Sequence, residues 1–541
     1  MKRIHLLFMF FMISVGFAQA QRYLSPVFST VSKQTVVYGE NYTVLTLAST
    51  GHTARQPLVM DVYTPDGDSE TQRALVIYWH TGNFLPNPQN GSTLGTRTDS
   101  CVVEVATRLA KMGYVVAVPD YRLGWNPLSM SNDELKGGLI NAAYRGVQDA
   151  RTCIRYFRKT IAESANPYGI CDEKITMWGE GAGGYITLAT ATLDDYTQDI
   201  IVPQKFFTST GFPMVIEAVN GNIDGTTLAQ SPGAPFPYPL GDTLCIPNHE
   251  GYSSDFALCV NMGGALGDTA WLDAGDGPMI SYHVPTDPFA PYYYDILVVP
   301  TTGSQIVDVA GSYKLQQQAA AQGNNQAIVD AGISDAWTTA AQAAQAAAPA
   351  PYNTYFEGMS TLNRPCWPNP FSPGSFSCES GPWAWWDAGY WSQVPHPSCG
   401  AVMPPNCSFH VINSIGNDDM SANKSRTYLD SIIAYYAPRA FAVMNLGVST
   451  CGVATEELLN DKTIKVAVVP NPAADYTFIQ TEADNAFETV QLFDMNGRMI
   501  REYRNVNNNT LIIYRDGLPA GIYTAKIGFD KGVIAKQIIF E

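Results

Sequence analysis

Residues 174–189 have the spacing best suited to chemistry. Lys174 to Trp178 reads as a strand, Gly179-Glu180-Gly181-Ala182-Gly183 as a sharp glycine-rich turn, and the residues after it as the start of a helix. A G-x-S-x-G turn of this kind lifts a serine hydroxyl to the apex of a strand-to-helix bend, poised to attack an acyl carbonyl. Here the apex is Gly181, which has no side chain. Loss of such a serine removes roughly a factor of 10⁶ in turnover, leaving about 10³–10⁴ over water from oxyanion donors and binding. Glycine also relieves a backbone strain of about 1–3 kcal/mol at the apex, so the turn itself should persist. Glu180 precedes the apex and is expected to point away from it. The N–H of Ala182 and the helix start at 182–184 still favour an anion.

The turn needs a framework to hold it. Leu58–Tyr63 alternates like a strand, and Ala74–Trp79 is a buried apolar run. Cys101–Met112 has helical spacing, Tyr114–Pro119 reads as a strand, and a long helix is expected around Asn141–Lys159. The strand Ile175–Trp178 follows, with further strands expected at Met279–His283 and Ala440–Leu446. Alternating strands and helices predict a mostly parallel sheet with helices on both faces. The Ala- and Gln-rich stretch 313–349 should be helical, and 350–407, dense in Pro, Trp and Cys, should be irregular. The cluster Trp383, Trp385, Trp386 and Trp391 reads first as aromatics packing that excursion onto the body, with sugar stacking as the alternative. Asn220 to Thr227 spaces oxygen-bearing residues as calcium loops do, but it lacks a glutamate at the twelfth position and reads as a turn. No metal or cofactor is expected.

The 541 residues suffice for two domains, and a net charge of −17 without a Lys/Arg cluster argues against nucleic acid or an anionic membrane as partner. Lys2-Arg3, the apolar run Leu6–Phe17 and Ala18-Gln19-Ala20 read as a cleaved export signal over residues 1–20. No later apolar run is long enough for a membrane helix. All ten cysteines follow the signal, as disulfides in an exported protein would. Local pairs such as Cys245–Cys259, Cys366–Cys378 and Cys399–Cys407 would clip loops. A body over 21–450 and a linker over 451–463 precede a second domain, 464–541. There, short alternating strands at Tyr476–Gln480, Thr489–Phe493, Thr510–Tyr514, Gly521–Ile527 and Val533–Phe540 predict a small antiparallel β-sandwich.

Ordered matches along the body resemble the carboxylesterase-like branch of the α/β-hydrolase superfamily. They are His80-Thr81-Gly82-Asn83-Phe84 after a strand, Val118 to Gly124, Asp149 to Phe157, the 179–183 turn, and Ile280 to Tyr292. The resemblance implies an α/β-hydrolase fold and an oxyanion loop in which the N–H groups of Gly82 and Asn83 join that of Ala182, beside His80. It places the acid at Asp287 and the base after the last strands. There His410 is the best-placed histidine, with His396 and His283 behind it. The C-terminal stretches Val469 to Ala473, Gln491 to Arg498, Leu518 to Thr524 and Lys536 to Phe540 resemble the type A sorting domain of type IX secretion. That resemblance implies the type IX machinery as partner of residues 464–541, and a secreted or cell-surface location.

Three functions compete on this reading. The first is an exported, catalytically silent esterase homologue that binds a small ester, carboxylate or glycan ligand. The second is an active extracellular ester or acyl-glycan hydrolase with a non-standard nucleophile. The third is a structural surface component.

Overall fold

The computed structural model describes residues 21–298, 303–400, 407–448, 451, 464–482, 485–494, 499–504, 506–529 and 532–541. The expected export signal, nearly all of the linker and the Met495–Gly497 turn lie outside these residues. The chain divides into two compact units, Met1–Cys451 and Gly452–Glu541. A disulfide joins Cys451 to Cys171, 280 residues earlier, so Cys451 belongs to the body rather than to the linker.

The body's main sheet, among the described residues, has eight strands. They are β1 (Val31–Thr43), β2 (Ala54–Pro65), β3 (Arg73–Trp79), β4 (Val115–Pro119), β5 (Ile170–Glu180), β6 (Leu258–Met262), β7 (Met279–His283) and β8 (Met359–Thr361). Their order is β1-β2-β4-β3-β5-β6-β7-β8. The β1–β2 and β2–β4 pairs are antiparallel and the remainder run parallel. Strands covered on both faces read as continuous apolar runs, and β3 does so. Ala74, Val76 and Tyr78 pack on one face with helices α1 (Ser100–Lys111) and, late in the chain, α8 (Ala422–Val443). Leu75, Ile77 and Trp79 pack on the other with α2 (Asn132–Glu163) and α3 (Ala182–Thr192). Ser131 caps α2 by accepting the N–H of Glu134, and Asp133 and Glu134 suit its positive end. Inside α2, Asp149 accepts from the Arg122 guanidinium at 2.9 Å with both side chains fully buried, which fixes the segment after β4. This is the sheet and layering of an α/β-hydrolase.

Two expectations change, the Ala440–Leu446 strand and the Cys245–Cys259 pair, and the others in these regions hold. Ala440–Leu446 is not a strand: Ala440–Val443 closes α8, because Leu429, Ile432, Ile433, Tyr436 and Ala437 already set a helical stripe against the core and Ala440 continues it. The last strand of the main sheet is instead the three-residue β8. Cys245 and Cys259 are not paired; both are buried thiols, Cys245 beside Asn41 and Cys259 inside β6. Cys366–Cys378 and Cys399–Cys407 are bonded. Residues 312–346 form α4 (Ser312–Gln322), α5 (Gln326–Asp330) and α6 (Ala336–Ala346). Trp383 and Trp386 are buried rather than displayed. In the 220–227 loop Asp224 pairs with Arg151, and Asn222 Oδ1 accepts the N–H of Thr226, as a closed turn does.

The C-terminal unit is built from two antiparallel sheets. One holds β9 (Val466–Val469), β10 (Tyr476–Thr481) and β13 (Thr510–Tyr514). The other holds β11 (Thr489–Phe493), β12 (Met499–Tyr503), β14 (Gly521–Phe529) and β15 (Gly532–Phe540). Alternate residues such as Val490, Leu492, Ile513, Ala525 and Ile527 fill its core.

Candidate functional site

The apex of the turn lies where β5 meets α3. Glu180 ends the strand, Ala182 opens the helix, and Gly181 between them has φ 52° and ψ −115°, a conformation that side-chain-bearing residues rarely hold. The N–H of Gly181 donates to Met262 O at 2.8 Å, which ties the apex to the end of β6. The helix start presses close to the sheet: a Cβ on Gly183 would overlap the carbonyl of Trp79.

What faces the apex is Thr81. A Cβ built on Gly181 would fall against the Thr81 hydroxyl oxygen, far inside van der Waals contact, and 3.0 Å from Thr81 Cβ. The space that a side chain at 181 would need is therefore filled by the loop opposite, which follows β3. Gly82, Asn83 and Phe84 all have positive φ (130°, 55° and 56°), so the loop turns back sharply. Among the described residues no backbone acceptor takes the N–H of Gly82 or Asn83. Ala182 is the first residue of α3 and its N–H has no partner within the helix. Beneath this loop His80 is buried and stacked on Tyr121 at 4.7 Å. Burial alone would lower its pKa, but Asp120, 3.5 Å from Nε2, and Asp99 outweigh that and hold it above the usual range.

Glu180 turns into the core beneath the apex. Its carboxyl accepts from Tyr78 Oη at 2.9 Å, Trp383 Nε1 at 2.8 Å and, more weakly, Cys101 Sγ at 3.5 Å. Burial pushes its pKa up, and the hydrogen bonds from Trp383, Tyr78 and Cys101 act against that rise. Trp383 comes from the disulfide-bearing excursion, and its single N–H is spent on Glu180.

Asp287 lies on the turn after β7, its side chain almost wholly buried. Oδ1 accepts the N–H groups of Phe289 at 2.7 Å and Ala290 at 3.1 Å, while Oδ2 has no hydrogen-bond partner. Burial raises its pKa to about 7. His283 Nε2 is 3.7 Å from Oδ2, but burial drops that imidazole to about 4. His283 Nε2 instead donates to Ala290 O and Nδ1 accepts from Ser312 Oγ. The contact is a near approach of a neutral ring and not an ion pair. Across Gly263, whose Cβ position lies 3.4 Å from Asp287 Oδ2, the other neighbour is the Trp383 indole at 3.6 Å.

The two other candidate histidines lie elsewhere. His410, in helix α7 (Phe409–Ser414), accepts the Trp386 N–H on Nδ1 at 3.2 Å and lines a separate cavity. His396 Nε2 contacts Gly91 O at 3.1 Å. Gly181, Glu180, Gly82, Asn83, Ala182 and Asp287 thus gather at the sheet's C-terminal edge, where ligands of open α/β sheets bind. His410 makes no contact with any of them. The sequence reading missed Thr81, Tyr78 and Cys101, and it placed Trp383 in the packing of the excursion without its bond to Glu180. Of these only Thr81 left a signal, standing inside the expected oxyanion loop.

Residues 60–220 match the BD-FAE family, and residues 467–541 match the family described as secretion system C-terminal sorting domain. No curated protein matches the chain. Among solved structures, esterase 2 of Thermogutta terrifontis phosphorylated by paraoxon is 17% identical, over 48% of this chain and 73% of that one, with a TM-score of 0.27. Its propionate-bound and apo forms are each 16% identical, over 48% and 74%, also at 0.27. No described helix is long and apolar enough to cross a membrane. The body is therefore an esterase-like α/β-hydrolase with a BD-FAE region at 60–220, and the chain ends in a type IX sorting domain that sends it to the cell surface or the exterior.

Proposed function

We propose that this chain is a catalytically silent esterase homologue, exported through a cleaved signal over residues 1–20 and acting outside the cell as a binding protein. The observation that carries this reading is the pair Gly181 and Thr81. The apex has no hydroxyl of its own, and a side chain from the opposite loop fills the vacated space. Two features support it. The histidine beside Asp287, His283, is a neutral imidazole already bonded to Ala290 O and Ser312 Oγ and not a free base. His410 is engaged with Trp386. The oxyanion donors are main-chain groups, so the cleft retains a preference for a carbonyl or carboxylate ligand without a nucleophile to attack it.

The test is turnover of nitrophenyl esters from acetate to decanoate by the mature chain. The reading expects no rate above buffer for any of them. One observation favours the active alternative, since the Thr81 hydroxyl lies where an attacking oxygen would stand. Turnover abolished by Thr81→Val, which keeps the shape and removes the hydroxyl, would establish that alternative.

A further inference from the structure

A groove runs along the outer stripe of α1, on the face of the sheet that α3 does not cover. It has a volume of about 460 Å³ and is lined by Glu104, Thr107, Arg108 and Lys111 of α1, by Trp385 of the excursion and by Arg426 of α8. The α1 residues share one stripe because they stand three and four positions apart. The volume falls in the range of small-ligand sites, about 300–1,000 Å³.

Three cations line the groove against one carboxylate. Glu104 Oε1 accepts from Arg108 Nε at 2.8 Å, and its Oε2 lies 3.5 Å from Arg426 Nε. Asp430, outside the lining, accepts from Arg108 Nη1. Arg108 Nη2, both terminal nitrogens of Arg426 and the Lys111 ammonium have no hydrogen-bond partner among the described residues. The Thr107 hydroxyl is likewise unspent. The donors are held in place. Arg108 is tethered through two nitrogens, and the Arg426 guanidinium lies over the Trp385 ring, 5.6 Å from its centre, where the indole packs against the core. Donors fixed before binding lose little conformational entropy when a ligand arrives.

Unspent donors and an excess of positive charge fit an anion rich in acceptors. A phosphate monoester carries about −1.5 to −2 charges at neutral pH and three acceptor oxygens, one more than a carboxylate has. Guanidinium forks match its geometry, and Lys111 adds a point charge. The chain as a whole carries −17, so the basic area is local, and an extended polyanion would run onto a surface that is acidic on balance. The sequence shows no Lys/Arg cluster because Arg426 joins Arg108 and Lys111 only where α8 packs beside α1. We infer that the groove between Arg108, Lys111 and Arg426 binds a phosphate monoester, free in solution or as a lipid headgroup. The inference does not depend on whether the elbow is silent.

The experiment titrates glycerol 1-phosphate into the mature full-length chain by calorimetry at low salt. A second arm sediments the chain with phosphatidylcholine vesicles, with and without phosphatidic acid. The phosphate should bind in at least one arm, and the arm identifies its source. Arg426→Gln and Lys111→Gln should each weaken that binding about fivefold or more, and added salt should weaken it further. Lys314→Gln, on α4 outside the groove, should leave it unchanged. Lys111→Gln removes no bond within the protein, so it decides the matter even if Arg426→Gln disturbs Trp385. Absence of binding in both arms, equal binding by wild type and Lys111→Gln, or acetate binding as tightly as the phosphate would overturn the inference.

Discussion

The C-terminal edge of the sheet and the excursion over residues 362–414 divide between them what acyl transfer needs in one place. The edge keeps the frame: a sharp turn at Gly181, N–H groups at Gly82 and Asn83 that no backbone acceptor among the described residues takes, and a buried carboxyl at Asp287. The excursion holds His396 and His410, each already engaged, with Gly91 and with Trp386 respectively. What the excursion sends to the edge is an indole, Trp383, which bonds Glu180 and packs beside Gly263. Under the proposed reading, the contrast teaches that main-chain features of a catalytic frame can outlast its side-chain chemistry, because the fold itself maintains them.

Trp383→Ala would break the comparison most severely. It removes a buried indole that anchors the excursion, and it should cost about 3–5 kcal/mol in chemical denaturation. Asp287→Asn comes next and has a pH signature. Burial favours the neutral carboxyl, with its pKa moved from 3.8 to about 7. The associated stability is fully present below about pH 3.8, declines as pH rises through that interval, and is gone above about pH 7. The interval corresponds to at most about 4 kcal/mol. Asparagine stays neutral and can still accept the N–H groups of Phe289 and Ala290, so the variant should be the more stable protein above pH 7 and show a flatter pH profile in thermal melts.

Gly181→Ser adds a side chain at φ 52° and against Thr81, and should cost roughly 1–3 kcal/mol. Adding Thr81→Gly should recover part of that loss, with a coupling of about 0.5–3 kcal/mol in a double-mutant cycle. Strictly additive losses would mean that the two positions do not share space. His410→Ala should have the smallest effect, about 1 kcal/mol, from leaving the Trp386 N–H without its acceptor.

Much of this frame is legible in the residues. The β3 run Ala74–Trp79, the Gly179–Gly183 turn and the Pro- and Gly-punctuated strands of the C-terminal unit carry local signals, because backbone conformation and two-sided burial act over a few positions. The partners of the site carry none. Trp383 reaches Glu180 from 203 residues away, and nothing near either residue marks that meeting. Strand β8 has three residues and no pattern of its own; it exists because β7 offers an edge. Ala440–Leu446 is rich enough in apolar residues to suggest a strand, yet the helical stripe that begins upstream at Leu429 overrides it. Cysteine spacing could not separate the bonded pair Cys366–Cys378 from the unbonded Cys245 and Cys259, whose distance is set by the sheet.

The central claim is that the elbow has no activated hydroxyl. Incubating the mature chain with a fluorophosphonate probe and weighing the intact protein tests it directly. The account predicts an unchanged mass at long incubation, with an active serine esterase labelled in parallel. Stoichiometric addition that maps to Thr81, or to any serine at the sheet's C-terminal edge, would contradict it.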